Sequence, residues 1–255
     1  MSRIKELFKR KPSGVLNVYC TAGYPALEDT LPVMQALQEA GADLIELGMP
    51  YSDPLADGPV IQHSSQQALA NGMTIEKLMQ QLAVLRPSIT LPVILMGYMN
   101  PVMQYGFERF CKDAAAAGVD GLILPDLPEY EFEQEYGKII KQYGLDFIFL
   151  VTPETSAERV RKLDSLSTGF LYAVSSSSTT GSDKNMTDVS AYLQRLAGYQ
   201  LSNPVLVGFG IKDRESFSRA CASANGAIIG SAYISALGNS SDIREATLRF
   251  LKNIL

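Results

Sequence analysis

The sequence predicts an α/β protein, and within that class one (β/α)8 barrel spanning 1–255, with an extra N-terminal helix and a short helix after the eighth strand. Three observations predict it. Short, almost wholly apolar runs alternate with longer helical patterns, as expected of parallel strands buried on both faces. Eight such runs fit in 255 residues, close to the roughly 250 typical of this barrel. The first run leads into CTAGYP, not the GxGxxG turn of a doubly wound sheet.

The strands are expected at 15–20, 43–48, 92–97, 119–124, 145–151, 169–174, 204–208 and 226–230. Helical patterns lie at 27–40, 75–85, 129–143, 157–166, 213–224 and 242–255, each after turn or capping residues. EAGADLIEL, AAGVDGLIL and SANGAIIG share one grammar. A helix ends in alanine, Gly or Asn takes the left-handed position after it, and an apolar strand follows. At the N-terminus, Lys9, Arg10 and Lys11 read as the solvated last turn of a short helix, stopped by Pro12 and Gly14. No composition shift marks a linker, so one domain is expected.

Composition narrows the class further. With 46% hydrophobic and 19% charged residues, a large packed core is expected. The net charge of −5 and the lack of a long basic run disfavour nucleic acid or an anionic membrane as partner. Cys20, Cys111 and Cys221 lie far apart with no CxxC spacing, which fits a reducing cytoplasm and not a disulfide framework. The charged N-terminus is no signal peptide, and no run approaches the roughly 18 apolar residues of a membrane helix.

Barrel chemistry belongs at the C-terminal ends of the strands. Glu46 sits near such an end, and a loop stiffened by Pro50, Pro54 and Pro59 follows, carrying Asp53 and Asp57. That spacing puts Glu46 at the mouth and lets the loop fold Asp57 back over it. A carboxylate among apolar neighbours can serve as both acid and base. Equally, Glu46 reads as a structural hydrogen-bond partner, and Asp53 and Asp57 as turn residues. VGFGIKD and AIIGSAY follow the last two strands. Their glycines allow close backbone approach, and a helix starting at Ser231 would add its dipole, which makes a phosphate site. The polar segment YAVSSSSTTGSDKNMTD reads as a lid or as a plain surface loop. Tyr19, Tyr98 and Tyr172 fall at or just past strand ends, suited to an aromatic pocket or merely to the core rim. His63 is the only histidine and falls on a helical face. A histidine triad or histidine metal site is therefore disfavoured. No strand ends in lysine, against a Schiff-base lyase.

The block ELGMPYSDPLADGPVIQ closely resembles the signature of the tryptophan synthase α subunit. TAGYP, Tyr98-x-Asn100, LPDLP, Tyr172, Thr180-Gly181, GFGI and GSA extend the resemblance over nearly the whole chain. It implies retro-aldol cleavage of indole-3-glycerol phosphate to indole and glyceraldehyde 3-phosphate. Glu46 would be the proton shuttle, and Asp57 would accept a hydrogen bond from the indole N–H. Tyr19, Ile61, Tyr98, Tyr172 and Phe209 would surround the indole, and Thr180 would contact Asp57 on closure. Gly181, Gly210, Gly230 and Ser231 would hold the phosphate. No cofactor is implied here, since pyridoxal phosphate belongs to the β subunit, the expected partner in a cytoplasmic α2β2 complex. The interface would use 53–58, 98–106 and 125–129. One departure touches the lid. The commoner pattern has arginine at Ser176 and glycine at Ser178, which puts a guanidinium contact from the lid in doubt. Two rival readings stay open: another phosphate-binding barrel lyase or isomerase, and a silent barrel that only activates a β partner.

Overall fold

The computed structural model describes residues 2–174, 183–208 and 210–255. Its nine strand segments are β1 (Val15–Thr21), β2 (Leu44–Gly48), β3 (Val93–Met96), β4 (Gly121–Ile123), β5 (Asp146–Phe147), β6 (Leu150–Val151), β7 (Leu171–Val174), β8 (Val205–Gly208) and β9 (Gly226–Ile229). They form one parallel sheet in the order β5-β4-β3-β2-β1-β9-β8-β7-β6. The two edge segments belong to one stretch of chain. Ile148 N–H donates to the Leu122 carbonyl at 3.1 Å, and the Phe149 carbonyl accepts from Tyr172 N–H at 3.0 Å. The fifth strand of the (β/α)8 pattern therefore closes the barrel.

Strand alternation divides the buried side chains into two sets. Leu16, Val18, Ile45, Leu47, Leu95 and Val207 face outward into the cluster beneath the helices. Val15, Leu44, Ile94, Ile148, Phe170, Leu206 and Ile228 face inward and fill the barrel. Helix Arg3–Arg10 plugs the N-terminal end with Ile4 and Leu7, which join the inner cluster. Ser2 caps it by accepting Lys5 N–H at 3.3 Å. At its far end Lys9 and Arg10 are exposed, but Lys11 pairs with Asp43 at 2.5 Å. At the same end, Asp120 takes Arg3 and Arg86 at 2.9 Å each and Val93 N–H at 2.8 Å. That end is closed by packing and charge, which leaves the opposite end for chemistry.

Several expectations need correction. Asn225 does not adopt the left-handed conformation, whereas Gly41 and Gly118 do. It bridges instead: Oδ1 accepts Val205 N–H and Nδ2 donates to the Pro12 carbonyl, both at 2.8 Å. The pattern at 129–143 is not one α-helix. A π-helical turn, Phe132–Tyr136, divides it as Phe132 wedges against Phe147 and Phe149 with ring centroids 4.7 and 5.0 Å away. The polar segment 172–188 is not all loop, since Tyr172 lies in β7 and helix Asp183–Ala197 starts within it. Helix Met99–Tyr105 adds to those read from the sequence, while Pro59–Ala70 carries His63 and Phe107–Ala116 ends in alanine before Gly118, as the motifs implied. No helix among the described residues is long and apolar enough to cross a membrane.

Candidate active site

The mouth is built from inward positions one layer above the aliphatic filling. β1 contributes Tyr19, whose in-register neighbour on β2 is Glu46, and Asn17 lies one inward position below, level with Leu44 of the filling. Two residues beyond Glu46, β2 ends at Gly48 and the Tyr19 ring lies over it. A Cβ on Gly48 would sit 2.0 Å from the Tyr19 hydroxyl. β7 and β8 repeat the device, because a Cβ on Gly208 would sit 2.6 Å from the Tyr172 ring. Each tyrosine can lie flat across the opening only because its neighbouring strand ends in glycine. Ile61, from helix Pro59–Ala70, closes a third side. Its Cδ1 would be 3.8 Å, and Tyr19 Cβ 3.6 Å, from a Cβ on Gly230.

Glu46 is 1% exposed. Its Oε2 accepts a 2.9 Å hydrogen bond from Asn17 Nδ2, and it has no ion pair among the described residues. Burial pushes its carboxyl from the ordinary 4.5 up to about 8, with the charge on Asp57 adding to the rise and the Asn17 bond opposing it. A carboxyl held there is protonated at neutral pH and can still lose its proton.

Asp57 is half-buried, and burial raises its carboxyl above 3.8 while a hydrogen bond from the Tyr98 hydroxyl opposes the rise. Tyr98 also accepts Ala56 N–H at 3.1 Å. Gln62 Nε2 donates to the Asp57 carbonyl at 2.8 Å. These contacts fold the proline-stiffened loop back over the mouth. Burial raises the hydroxyl pKa of both Tyr19 and Tyr172, and the charges of Asp57 and Glu46 add to the rise in each. Both carboxylates thus act on one aromatic-walled space. Asp53 takes no part: it is exposed and accepts from Ser52 Oγ at 2.5 Å.

At the end of β9, beside Tyr19 and Ile61, Gly230 is the N-cap of helix Ser231–Gly238, and no side chain caps that helix. Its first-turn N–H groups remain available to an anion. Gly210 has φ +48°, a conformation that favours glycine, with open space where a Cβ would stand. Thr180, Gly181 and Phe209 lie outside the described residues. His63 is exposed, and no group of His, Cys, Asp or Glu among the described residues could hold a metal ion. Sequence reading missed Asn17. Its signal was an asparagine at an inward position of the apolar run VLNVYC.

Residues 6–254 match the family model described as tryptophan synthase alpha chain. The tryptophan synthase alpha chain of Parabacteroides distasonis is 47% identical over 253 residues, covering 99% of this chain and 98% of that one. That of Flavobacterium johnsoniae is 51% identical over 241 residues, covering 94% and 95%. Among solved structures, tryptophan synthase subunit alpha from Legionella pneumophila aligns with a TM-score of 0.90 at 35% identity, covering 100% of this chain and 97% of that one. A chain of tryptophan synthase from M. tuberculosis gives 0.87 at 32% identity, covering all of both chains.

Proposed function

The chain belongs to the tryptophan synthase α chain family, whose reaction is cleavage of indole-3-glycerol phosphate, and we propose that Glu46 and Asp57 carry that reaction between them. The observation that bears most weight is a buried Glu46, its carboxyl pushed up to about 8 by burial, set under a loop whose Asp57 acts on it.

Cleavage must break the bond from indole C3 to the glycerol side chain. Glu46 gives its proton to C3, and positive charge appears on the ring as its nitrogen becomes an iminium. Asp57 accepts a hydrogen bond from that N–H and stabilises the charge. The Glu46 carboxylate then takes the proton of the adjacent side-chain hydroxyl. As that O–H is lost, the C–C electron pair returns to the ring, giving indole, and the hydroxyl carbon becomes the aldehyde of glyceraldehyde 3-phosphate. Glu46 ends protonated, so the cycle closes without cofactor or metal. A general acid–base so placed contributes roughly 10²–10⁴-fold.

Tyr19, Tyr98, Tyr172, Ile61 and Phe209 wall the indole in this reading, with Thr180 reaching Asp57 from the lid. Main-chain groups of Gly181, Gly210, Gly230 and Ser231 hold the phosphate. Pyridoxal phosphate stays with the β partner, and the assembly is a cytoplasmic α2β2 heterotetramer. Its contact face is supported by Leu55 at 92% and Met103 at 47% exposure, one after each of β2 and β3. These segments are tied together: Met99 N–H donates to Asp126 at 3.0 Å and Asn100 Nδ2 to the Tyr51 hydroxyl at 2.9 Å. Incubation with indole-3-glycerol phosphate, followed by detection of indole, tests the reading. Release by the natural chain and loss in Glu46→Gln support it. Wild-type-like release by folded Glu46→Gln removes Glu46 from the mechanism.

A further inference from the structure

We propose that Asn17 is a positioning residue for Glu46: its side-chain amide fixes Oε2 as the acceptor oxygen and leaves Oε1 to carry and deliver the proton. The inference deepens the reading of Glu46 as proton shuttle and rests on it.

Asn17 is wholly buried and sits at an inward position of β1, in register with Leu44 on β2 and Ile228 on β9. Its inward neighbours Val15, Leu44, Ile94, Leu206 and Ile228 are all aliphatic. An asparagine breaks that layer, and it does so uncompensated. Nδ2 donates to Glu46 Oε2 at 2.9 Å, but Oδ1 is buried with no hydrogen-bond partner among the described residues. A side chain serving packing alone would be aliphatic here, because a half-satisfied buried amide is worse than an apolar one. The one thing this amide does is hold Glu46. Glu46 Oε1, in contrast, bonds to no described residue. Local rules broken without structural return mark functional positions.

The chemistry follows from the geometry. When Glu46 gives its proton to the substrate it becomes a carboxylate in a buried site. The N–H of Asn17 already points at that charge as it forms, so no reorganisation is needed. The titratable groups on the same side of the sheet as Glu46 are Asp57 from the loop, Tyr19 from β1 and Tyr172 from β7, while Cys20 of β1 points outward beneath the helices. None of them can bring positive charge to Glu46, and the Asp57 carboxylate opposes its ionisation. Asn17 is therefore the donor that offsets both burial and repulsion.

The test compares Asn17→Leu with the natural chain by two readouts: the pH profile of indole release, and the titration of the Glu46 carboxyl followed by ¹³C NMR. Losing a donor to a charged group makes Glu46 a weaker acid. At pH 7, kcat should fall about 10-fold or more while KM barely moves, since Asn17 lies beneath the pocket. The high-pH decline of kcat and the carboxyl titration should both move upward by about one pH unit or more. Asn17→Asp keeps the shape but replaces donor by acceptor, so it should move the titration the same way; it serves also if the leucine variant does not fold. A fall in kcat with the titration unmoved in both variants would assign Asn17 to structure and overturn the proposal. So would a rise in KM at constant kcat. Failure of the Glu46 reading is separately visible, as indole release that survives Glu46→Gln.

Discussion

Two carboxylates, one at each end of the barrel, lie almost wholly out of water and differ in every other respect. Asp120, at the N-terminal end, takes two guanidinium groups and a backbone N–H. Arg86, which it holds, also donates to the carbonyls of Leu91 at 2.7 Å and Gly118 at 2.9 Å. Glu46, at the C-terminal end, has one amide donor and the charge of Asp57 against it. Burial with partners fixes a charge in place, while burial without them leaves the proton on and within reach of a substrate. The closed end holds the molecule together, and the open end stores an unfavourable ionisation for use.

The sharpest way to break this contrast is Glu46→Gln, which should cut indole release by at least about 10³-fold while raising stability at alkaline pH. The sign follows from the raised carboxyl. The folded state holds its proton up to about 8 and the unfolded chain releases it near 4.5. Stability is therefore lost as pH rises across that window, on the order of 5 kcal/mol in full. Urea melts at pH 8.5 should favour the variant, and melts at pH 4 should nearly coincide. Asp57→Asn comes next: it should lower turnover by about 10²-fold with the fold intact, and little change would remove its charge-stabilising role. Asp120→Asn should do the reverse of Glu46→Gln. It leaves Arg86 without its charged partner and should cost about 3 kcal/mol in the same melts, while the pH profile of indole release stays where it was. Gly208→Ala sharpens the comparison least. Its Cβ must displace the Tyr172 ring, for about 1–3 kcal/mol of stability and a rise in KM.

The barrel was legible because every strand reads as an apolar run, and the pair Glu46 and Asp57 because prolines stiffen the loop between them. Other features hid for physical reasons. The helical face that carries His63 was legible but its extent was not, because helix Pro59–Ala70 buries Ser64 and Ser65 beside Ile61 and Ala68 and so lacks a full apolar period. The π turn at Phe132 arises from three phenylalanine rings meeting across the fold, a tertiary fact with no local mark. Asn225 carries the residue type of a left-handed turn but is recruited by two strands and the N-terminal loop. Asn17 was visible as a polar residue in an apolar strand, yet its partner lies 29 residues away. The single contact that explains it exists only once β1 and β2 are paired.

The most direct measurement is the titration of the Glu46 carboxyl in the natural chain, set against the pH dependence of kcat for indole release. Both should turn over together near pH 8, with activity falling as the proton is lost. A carboxyl that titrates near 4.5, in an enzyme still fully active at pH 9, would contradict a protonated Glu46 as the group that starts the reaction.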